Sequence, residues 1–370
     1  MEEGRNVYVL PQNGSLVRCL YFLFTKILRG VWHWSFYKKS VYLNLVPLPG
    51  LRRLVKRLRP DVIHIHWLNT DVLNYEQLAS LKTEVLGCRF VVNLHDLFMI
   101  NAIEPHPRGD LRYQMGFERK NARWLERWLF IRKKRTIDKL NPVFIAPSSW
   151  AATCCQQSLI GRNHPVFVIS NLVDTNIFFF RGNVLRHRKY RVLYGAAGGR
   201  LNPQKGFDDL RRALHLLPNF LKKELELQIF GEMSSEVEIE GISVKFWGVV
   251  RDPNQMAAIY RQADVFAFPS HEETQGMVKV EAMLCGLPVI AFDQTACAEG
   301  IKHMVTGWIA SSGNIKSFAN GLEWAYKQFA GEASSSIRLE IARKTLHNVN
   351  MCNILSRIMG VYREKSNAWC

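Results

Sequence analysis

The 370-residue sequence lacks several patterns that define well-known classes of protein. Its eight cysteines show no Cys-x-x-Cys spacing, which argues against a zinc site or a thioredoxin-type redox centre. No stretch reaches the roughly 18–20 uncharged apolar residues of a membrane-spanning helix. No Gly-x-Gly-x-x-Gly motif follows a first strand, and this argues against a nicotinamide-dependent dehydrogenase. The remaining classes are globular proteins without a thiol-based or dinucleotide-based signature.

No secretory leader is visible either, because Glu2 and Glu3 occupy what would be its positively charged start. We therefore expect a reducing, cytoplasmic setting. The composition, 48% hydrophobic and 22% charged, is typical of a soluble globular protein rather than a disordered one. The length suits two domains, which we place at residues 1–185 and 186–350, with residues 351–370 as a helix that packs back on the first.

Charge is distributed unevenly between the two halves. Residues 1–189 carry 29 Lys and Arg against 13 Asp and Glu, so 29 − 13 = +16, out of +17 for the whole chain. A one-sided basic domain favours an anionic partner such as phospholipid, a lipid diphosphate or nucleic acid. A solvated basic surface without a specific partner is the plainer alternative. No recognisable nucleic-acid-binding module accompanies the charge, so we expect no nucleic acid partner.

Residues 16–36 combine many aromatic side chains with Arg18, Lys26 and Arg29. Such a segment is typical of a helix that lies in a membrane interface. It is equally typical of a buried helix that packs on a sheet, and the sequence leaves both interpretations open.

Apolar, β-rich runs alternate with longer helical patterns along the chain, which is the signature of parallel α/β folding. The predicted strands cover residues 61–67, 89–94, 143–146, 166–169, 191–196, 225–230, 244–247, 265–268 and 288–292, and helical patterns cover 77–86, 117–140, 207–216, 253–262, 276–285 and the stretch from Ile315 onward. A polar, basic break at residues 181–190 separates two such series. Ligands of such sheets bind beyond the carboxyl ends of the strands.

The first candidate site is the loop GGRLNPQKGF, residues 198–207, between a predicted strand and a helix. Its glycines allow close backbone approach to a ligand. Arg200 and Lys205 place two cations beside a helix N-terminus, whose free N–H groups already favour anions. A diphosphate would fit this arrangement, although an ordinary loop with exposed charges has the same sequence features.

The second candidate site lies in residues 269–283, PSHEETQGMVKVEAM. Glu273 falls in the loop before the helix, and Glu281 falls about two turns into it. Carboxylates accept hydrogen bonds from paired hydroxyls, as in sugar and ribose rings. The backbone N–H groups of residues 274–277 lie at the positive end of the helix. Two exposed glutamates on a helix remain the simpler interpretation of this spacing alone.

Taken in order, these motifs resemble retaining GT-B enzymes of glycosyltransferase family 4. The resemblance rests on GGRLNPQKGF, FWGVVRD, AAIYRQADVFAFPS, the E-x7-E element that ends in VEAMLCGLPVIAFD, and the later Glu299 and Thr306-Gly307. The first half agrees more loosely, through DVIHIHW, NLHD, APSSW and ISNLVDTNIF. The resemblance implies two Rossmann-like parallel-sheet domains that face each other across a cleft. It also implies transfer of a hexose-type sugar from a nucleotide-diphosphate donor to a glycan or lipid-linked acceptor in polysaccharide biosynthesis (O-antigen, capsule or exopolysaccharide).

The resemblance also assigns residue roles. Arg200 and Lys205 would bind the diphosphate, Glu273 the sugar hydroxyls and Glu281 the ribose, while His95 would face the reacting sugar. The full expected donor set is Gly199, Arg200, Lys205, Val250, Arg251, Glu273, Thr274, Gln275, Gly276, Met277 and Glu281. The family retains anomeric configuration, and no Asp-x-Asp metal signature stands in a loop, so we expect no required metal or other cofactor. We expect the enzyme to be peripheral at the inner face of the plasma membrane.

The first 60 residues are too few and too aromatic for the full set of opening βαβ units, so the first domain is expected to be shortened. The alternative function is therefore a nucleotide-sugar-binding protein that has lost catalysis. The donor sugar and base, the acceptor and the linkage cannot be predicted from these residues.

Overall fold

The computed structural model describes residues 42–68, 73–105, 109–118, 120–182, 188–195, 202–231, 238–330 and 334–364. The predicted segment at residues 16–36 and the site residues Gly199 and Arg200 lie outside this part of the chain. Two compact units are present: Met1–Val168 with Gly360–Cys370, and Ile169–Met359. We call them the first and second units.

The division falls after Val168, earlier than the boundary we placed at residue 185. The intervening segment packs on helix residues of the second unit. The Phe178 ring lies 6.1 Å from the Tyr260 ring, and the Arg261 side chain donates to the Phe179 carbonyl at 3.0 Å. The last helix is shared between the units, since its residues from Gly360 onward group with the first.

The first unit is a four-stranded parallel sheet with order β1-β2-β3-β4. Its strands are β1 (Val62–Ile65), β2 (Arg89–Asn93), β3 (Val143–Ala146) and β4 (Val166–Val168). Its helices are α1 (Leu51–Leu58), α2 (Tyr75–Glu84), α3 (Arg112–Met115), α4 (Trp124–Leu140) and α5 (Ser149–Gln157), with a 3₁₀ turn at Phe98–Ile100. Every residue of β3 is buried, as expected for the interior of a parallel sheet.

Helix α4 begins at Trp124, not near residue 117 as its periodicity predicted. The Glu126 carboxylate accepts from the Arg123 backbone N–H at 2.9 Å and thereby satisfies one of the free N–H groups of the helix start. The ring of Phe117 instead packs 4.9 Å from that of Phe130. The apolar residues before Trp124 therefore serve the core from a loop.

The second unit is a six-stranded parallel sheet with order β10-β9-β8-β5-β6-β7. Its strands are β5 (Tyr190–Gly195), β6 (Leu225–Phe230), β7 (Ser243–Gly248), β8 (Val265–Phe268), β9 (Val289–Phe292) and β10 (Gly307–Ala310). Its helices are α6 (Phe207–His215), α7 (Asn219–Glu224), α8 (Pro253–Gln262), α9 (Met277–Leu284), α10 (Ile315–Phe329), α11 (Ser334–Val349) and α12 (Met351–Arg363), with 3₁₀ turns at Pro203–Lys205 and Thr295–Cys297.

The core of this sheet is formed by β8 and β9, whose residues are all buried. Helix α9 packs on both strands, and α10 packs on β9 and β10. The predicted class, two parallel α/β units of Rossmann type, is confirmed by both sheets. Strand β10 and the helices α1, α3, α5 and α7 were not predicted.

In the part of the chain that the structure describes, no helix combines the length and apolar character needed to cross a bilayer.

Candidate functional site

The strand order of the second sheet reverses at β5. Strand β5 pairs with β8 on one side and with β6 on the other, all in parallel. The loops that leave the carboxyl ends of β5 and β8 therefore emerge next to each other. This is the position at which open α/β sheets bind ligands. Residues 202–206 of the first sequence motif and residues 269–276 of the second lie in these two loops.

Lys205 and Glu273 meet in this position. Lys205 Nζ donates to Glu273 Oε1 at 2.6 Å, and the two side chains are 22% and 13% exposed. A cation and a carboxylate at the mouth of the sheet can exchange this mutual contact for the phosphate and hydroxyl groups of a ligand. The structure thus brings together two residues that the sequence placed in separate candidate sites.

The loop that carries Lys205 is clamped on the loop after β8. The His271 backbone N–H donates to the Gln204 carbonyl at 2.8 Å. Gly206 adopts φ +67, and a Cβ at this position would lie 2.0 Å from the Pro269 carbonyl oxygen. Only glycine allows both this conformation and this approach. The position of Lys205 is thus fixed by backbone contacts.

Glu273 is held from the opposite side by the turn Thr295–Cys297. Its backbone N–H donates to Thr295 Oγ1 at 3.2 Å, and its carbonyl accepts from the Ala296 N–H at 3.3 Å. The buried Lys279 in turn fixes this turn. Its ammonium donates to the carbonyls of Ala296, Cys297 and Glu299 at 2.7, 3.1 and 2.8 Å. Burial lowers the pKa of Lys279 to about 8.

Glu281 lies further along α9 and is mostly buried. Its Oε2 accepts from the Tyr260 hydroxyl at 3.0 Å. Burial raises the pKa of this carboxyl to about 7, while the Tyr260 hydrogen bond lowers it. Glu281 is therefore poised between its neutral and charged forms near neutral pH, a property that the spacing to Glu273 did not predict.

Thr274 and Gln275 are buried, and the Gln275 side chain is used within the protein. Its Oε1 accepts from the Asn171 N–H at 3.1 Å, and its amide donates to Ser170 Oγ. This side chain anchors the segment that follows β4. Any ligand contact of Gln275 is thus left to its backbone.

The remaining predicted donor residues lie at helix and strand ends. Gly276 is the N-cap of α9 with φ +75, and Met277 is the first residue of that helix. Val250 is partly exposed and Arg251 is exposed, in the loop between β7 and α8. They share the carboxyl edge of the sheet with Lys205 and Glu273.

A second cluster of chemically active side chains lies in the first unit. His66 follows β1 and His95 follows β2, and these neighbouring parallel strands bring His66 Nδ1 to 2.8 Å from His95 Nε2. The Trp67 indole stacks on the His95 ring at 4.9 Å with an interplanar angle of 2°. Tyr362 of α12 places its hydroxyl 2.7 Å from His64 Nδ1.

The surroundings of these imidazoles favour their neutral form. Burial lowers the pKa of His66 and of His95, and burial together with the two neighbouring histidines lowers the pKa of His64 to about 4. A neutral imidazole has one N–H donor and one acceptor nitrogen, so it can bind a hydroxyl in either sense. His95 was predicted as a site residue; His64, His66, Trp67 and Tyr362 were not. The run DVIHIHW contained the signal, since alternating histidines at a strand end share one face.

The segment after His95 is fixed by a second buried lysine. Lys133 of α4 is fully buried, and its ammonium donates to the carbonyls of Phe98, Asn101 and Ala102 at 2.6, 3.0 and 2.9 Å. Burial raises the pKa of the nearby Asp96 carboxyl to about 6. Among the described residues, no group of three or more His, Cys, Asp or Glu is arranged to hold a metal ion.

Two family models match the chain in succession. Glycosyltransferase Family 4 matches residues 8–177, and Glycosyl transferases group 1 matches residues 195–328. Together they leave out only residues 1–7, 178–194 and 329–370. The unmatched residues 178–194 between the two models include most of strand β5.

Curated relatives match parts of the chain. A D-inositol 3-phosphate glycosyltransferase of Segniliparus rotundus is 32% identical over 149 residues, which cover 37% of this chain and 30% of the relative. An uncharacterized 41.2 kDa protein in the cps region of Klebsiella pneumoniae is 25% identical over 256 residues, 67% of this chain and 69% of the relative. The capsular polysaccharide biosynthesis glycosyltransferase CapM of Staphylococcus aureus is 26% identical over 169 residues, 42% of this chain and 44% of CapM. The chain thus spans less than a third of the length of the first of these relatives.

Solved structures share the fold. Sucrose-phosphate synthase from Thermosynechococcus elongatus superposes with a TM-score of 0.61 at 18% identity, covering 85% of this chain and 77% of that one. HepE of Anabaena, in complex with UDP, superposes with a TM-score of 0.60 at 20% identity, covering 84% of this chain and 80% of that one. At these identities the likeness concerns the architecture alone.

Proposed function

The chain belongs to the GT-B glycosyltransferases, and from this premise we propose that it transfers a hexose-type sugar from a nucleotide-diphosphate donor with retention of anomeric configuration. The acceptor in this proposal is a glycan or a lipid-linked glycan of a surface polysaccharide. The similarity to CapM, a glycosyltransferase of capsular polysaccharide biosynthesis, supports this class of pathway.

The observation that carries the proposal is the pairing of Lys205 with Glu273 where the strand order of the second sheet reverses. This position offers an ammonium, a carboxylate and the N-terminal N–H groups of α9 within one pair of loops. A sugar nucleotide needs these three functions: charge for its diphosphate, acceptors for its hydroxyls, and donors for phosphate oxygens. HepE, which has the same architecture, binds UDP, and this favours a nucleotide ligand here.

The proposed reaction follows from where charge develops. The bond between the anomeric carbon and the diphosphate oxygen breaks, so the leaving nucleoside diphosphate gains negative charge and the sugar becomes oxocarbenium-like. Lys205 and Arg200 would stabilise the leaving group, and Glu273 would hold the sugar hydroxyls. The acceptor hydroxyl would attack from the face of the departing diphosphate, and its proton would pass to the leaving oxygen.

In this proposal Glu281 binds the ribose and the neutral His95 contacts the reacting sugar. We further infer that fixed cations and N–H groups suffice for the leaving group, so that transfer needs no added divalent metal ion. Transfer that persists at an unchanged rate with excess chelator would support this inference. Loss of transfer that Mg²⁺ or Mn²⁺ restores would contradict it.

A thermal-shift panel of UDP-, GDP- and ADP-sugars tests donor binding directly. A bound donor at about a hundredfold excess over its Kd should stabilise the protein by about 2.7 kcal/mol. Only one base should produce the full shift, and Lys205→Ala should remove most of it. Lys223→Ala, at an exposed position of α7, is the matched control and should retain it. If no donor shifts the transition, or if Lys205→Ala shifts it as the wild type does, the donor site is assigned wrongly.

A further inference from the structure

Helix α4 of the first unit carries large apolar side chains on its outward face. Trp124 is 72% exposed and Trp128 is 39% exposed, while Leu125 and Leu129 on the opposite side are buried. We define the tryptophan face as Trp124, Arg127, Trp128, Ile131 and Arg135. At 100° per residue these five positions fall within about 100° of arc, so they form one stripe along the helix.

The stripe is apolar and cationic at once. Arg135 is exposed, and Arg127 and Ile131 are partly exposed. Beside the stripe lie Lys134 and Lys139. The exposed carboxylate of Asp138 falls within the same arc and is bound to Lys134 at 2.7 Å. A helix that only faced water would not place two tryptophans here, because large apolar groups gain free energy when they leave water.

The segment of residues 111–115, which contains helix α3, carries two more exposed apolar side chains. Leu111 is 52% exposed and Met115 is 66% exposed. Arg112 of α3 binds Glu126 of α4 at 3.1 Å, which holds α3 beside the first turn of α4. Two further exposed apolar side chains therefore belong to the segment that is bound to the first turn of α4.

We propose that the tryptophan face docks on an anionic lipid bilayer. Tryptophan favours the headgroup region of a bilayer, and arginine and lysine beside it bind anionic headgroups. A second copy of this chain fits poorly, since it would oppose cations to cations. A bilayer would present a lipid-linked acceptor to the enzyme, and in this respect the inference rests on the proposed function. Binding to the bilayer itself requires neither the donor nor the transfer reaction.

Co-sedimentation of the full chain with vesicles tests the proposal. We expect binding to phosphatidylcholine vesicles that contain phosphatidylglycerol, little binding to pure phosphatidylcholine, and weaker binding as salt is raised. Trp124→Ala with Trp128→Ala should weaken vesicle binding by about tenfold, the loss expected for a partly buried aromatic pair. Arg127→Glu with Arg135→Glu should weaken it further, since each cation near the surface contributes about fivefold.

Matched controls lie in the second unit. Phe220→Ala removes an exposed aromatic ring, and Lys316→Glu with Arg343→Glu makes the same charge change at exposed positions. Both should bind vesicles as the wild type does. Because Trp128 also stacks on Arg132 at 4.4 Å, Trp124→Ala alone is a second variant that avoids this contact. Vesicle binding is compared only among variants that melt at the wild-type temperature, so that a loss of binding does not reflect unfolding.

The proposal is overturned if the wild type ignores anionic vesicles, or if the controls lose binding as much as the face variants do. It is also overturned if the face variants instead abolish self-association in sedimentation velocity, or binding to RNA or DNA, without changing vesicle binding. A donor panel that fails while vesicle binding succeeds would refute the proposed function and leave the docking surface intact.

Discussion

In each unit a buried lysine fixes a loop near the carboxyl edge of the sheet, but the polar side chains at the two edges differ. Lys133 binds three carbonyls of the segment after β2, and Lys279 binds three carbonyls of the segment after β9. A lysine suits this task because its ammonium has three donors on a long stem. The first edge presents neutral imidazoles and an indole, whereas the second presents the ion pair of Lys205 and Glu273. The two units therefore fix these loops in the same way, through a buried lysine, but carry different side chains at the edge of the sheet.

The largest expected effect comes from removing either lysine. Lys133→Met and Lys279→Met each leave three buried or partly buried carbonyls without their donor, which should destabilise the affected unit by about 3 kcal/mol or more. Hydrogen exchange measured peptide by peptide should assign the first loss to residues of the first unit and the second to residues of the second. Lys223→Met, at an exposed site, should change neither. If one variant accelerated hydrogen exchange equally in both units, the two lysines would not act on separate loops as described.

Glu281 should make the stability of the second unit depend on pH. Its pKa is raised from 4.5 to about 7 in the fold, so the folded state holds the proton more tightly than the unfolded state. Stability from this group is therefore present at low pH and is lost as pH rises through that window, by up to about 3 kcal/mol.

The test is Glu281→Gln, which should gain stability relative to the wild type between about pH 5 and about pH 8 in urea unfolding. Glu224→Gln, exposed on α7, is the control and should run parallel to the wild type. A Glu281→Gln curve that also parallels the wild type would show that this carboxyl is not perturbed.

The ion pair should matter for transfer more than for folding. Lys205→Ala and Glu273→Ala should each reduce transfer at least tenfold, about 1.4 kcal/mol of transition-state stabilisation. Melting temperatures should change little, because both side chains remain partly exposed. Turnover at the wild-type level in both variants would rule out this assignment. A loss in both variants would support a contribution of the second unit to donor chemistry.

The smallest effect is expected at Gln275. Gln275→Ala removes two side-chain hydrogen bonds to residues 170 and 171, which should lower stability by about 1 kcal/mol. Faster hydrogen exchange in residues 169–172 should accompany this loss. Donor affinity should stay at the wild-type value, since any ligand contact uses the backbone; a clear loss of affinity would instead make the side chain a donor ligand.

The fold could be predicted from the sequence because buried parallel strands have a strong local signature. Runs such as VFIA and VFAF are uniformly apolar and short, and both became fully buried strands. Strand β10 was missed because Gly307–Ala310 begins and ends with a small residue and depends on pairing with β9. The start of α4 was missed because Phe117 continues the helical apolar period but packs from a loop.

The candidate loops could be found from the sequence because each motif is local. The contact between Lys205 and Glu273 joins two such loops across 68 residues and came from the structure. The roles of Lys279 and Lys133 could not be predicted, because a lysine in a helix normally reaches water and only tertiary packing shows otherwise. The contact of Tyr362 with His64 spans 298 positions and leaves no local trace.

This distant contact has a consequence for dissecting the protein into pieces. A fragment that stops after Val168 would contain all four strands of the first sheet but would lack the phenol beside His64. His64 would then lose its contact with the Tyr362 hydroxyl, and the hydrogen bonds of His64, His66 and His95 would be free to rearrange. Recombinant work on the first half therefore needs the terminal helix supplied, either fused or in trans, before its histidines are studied.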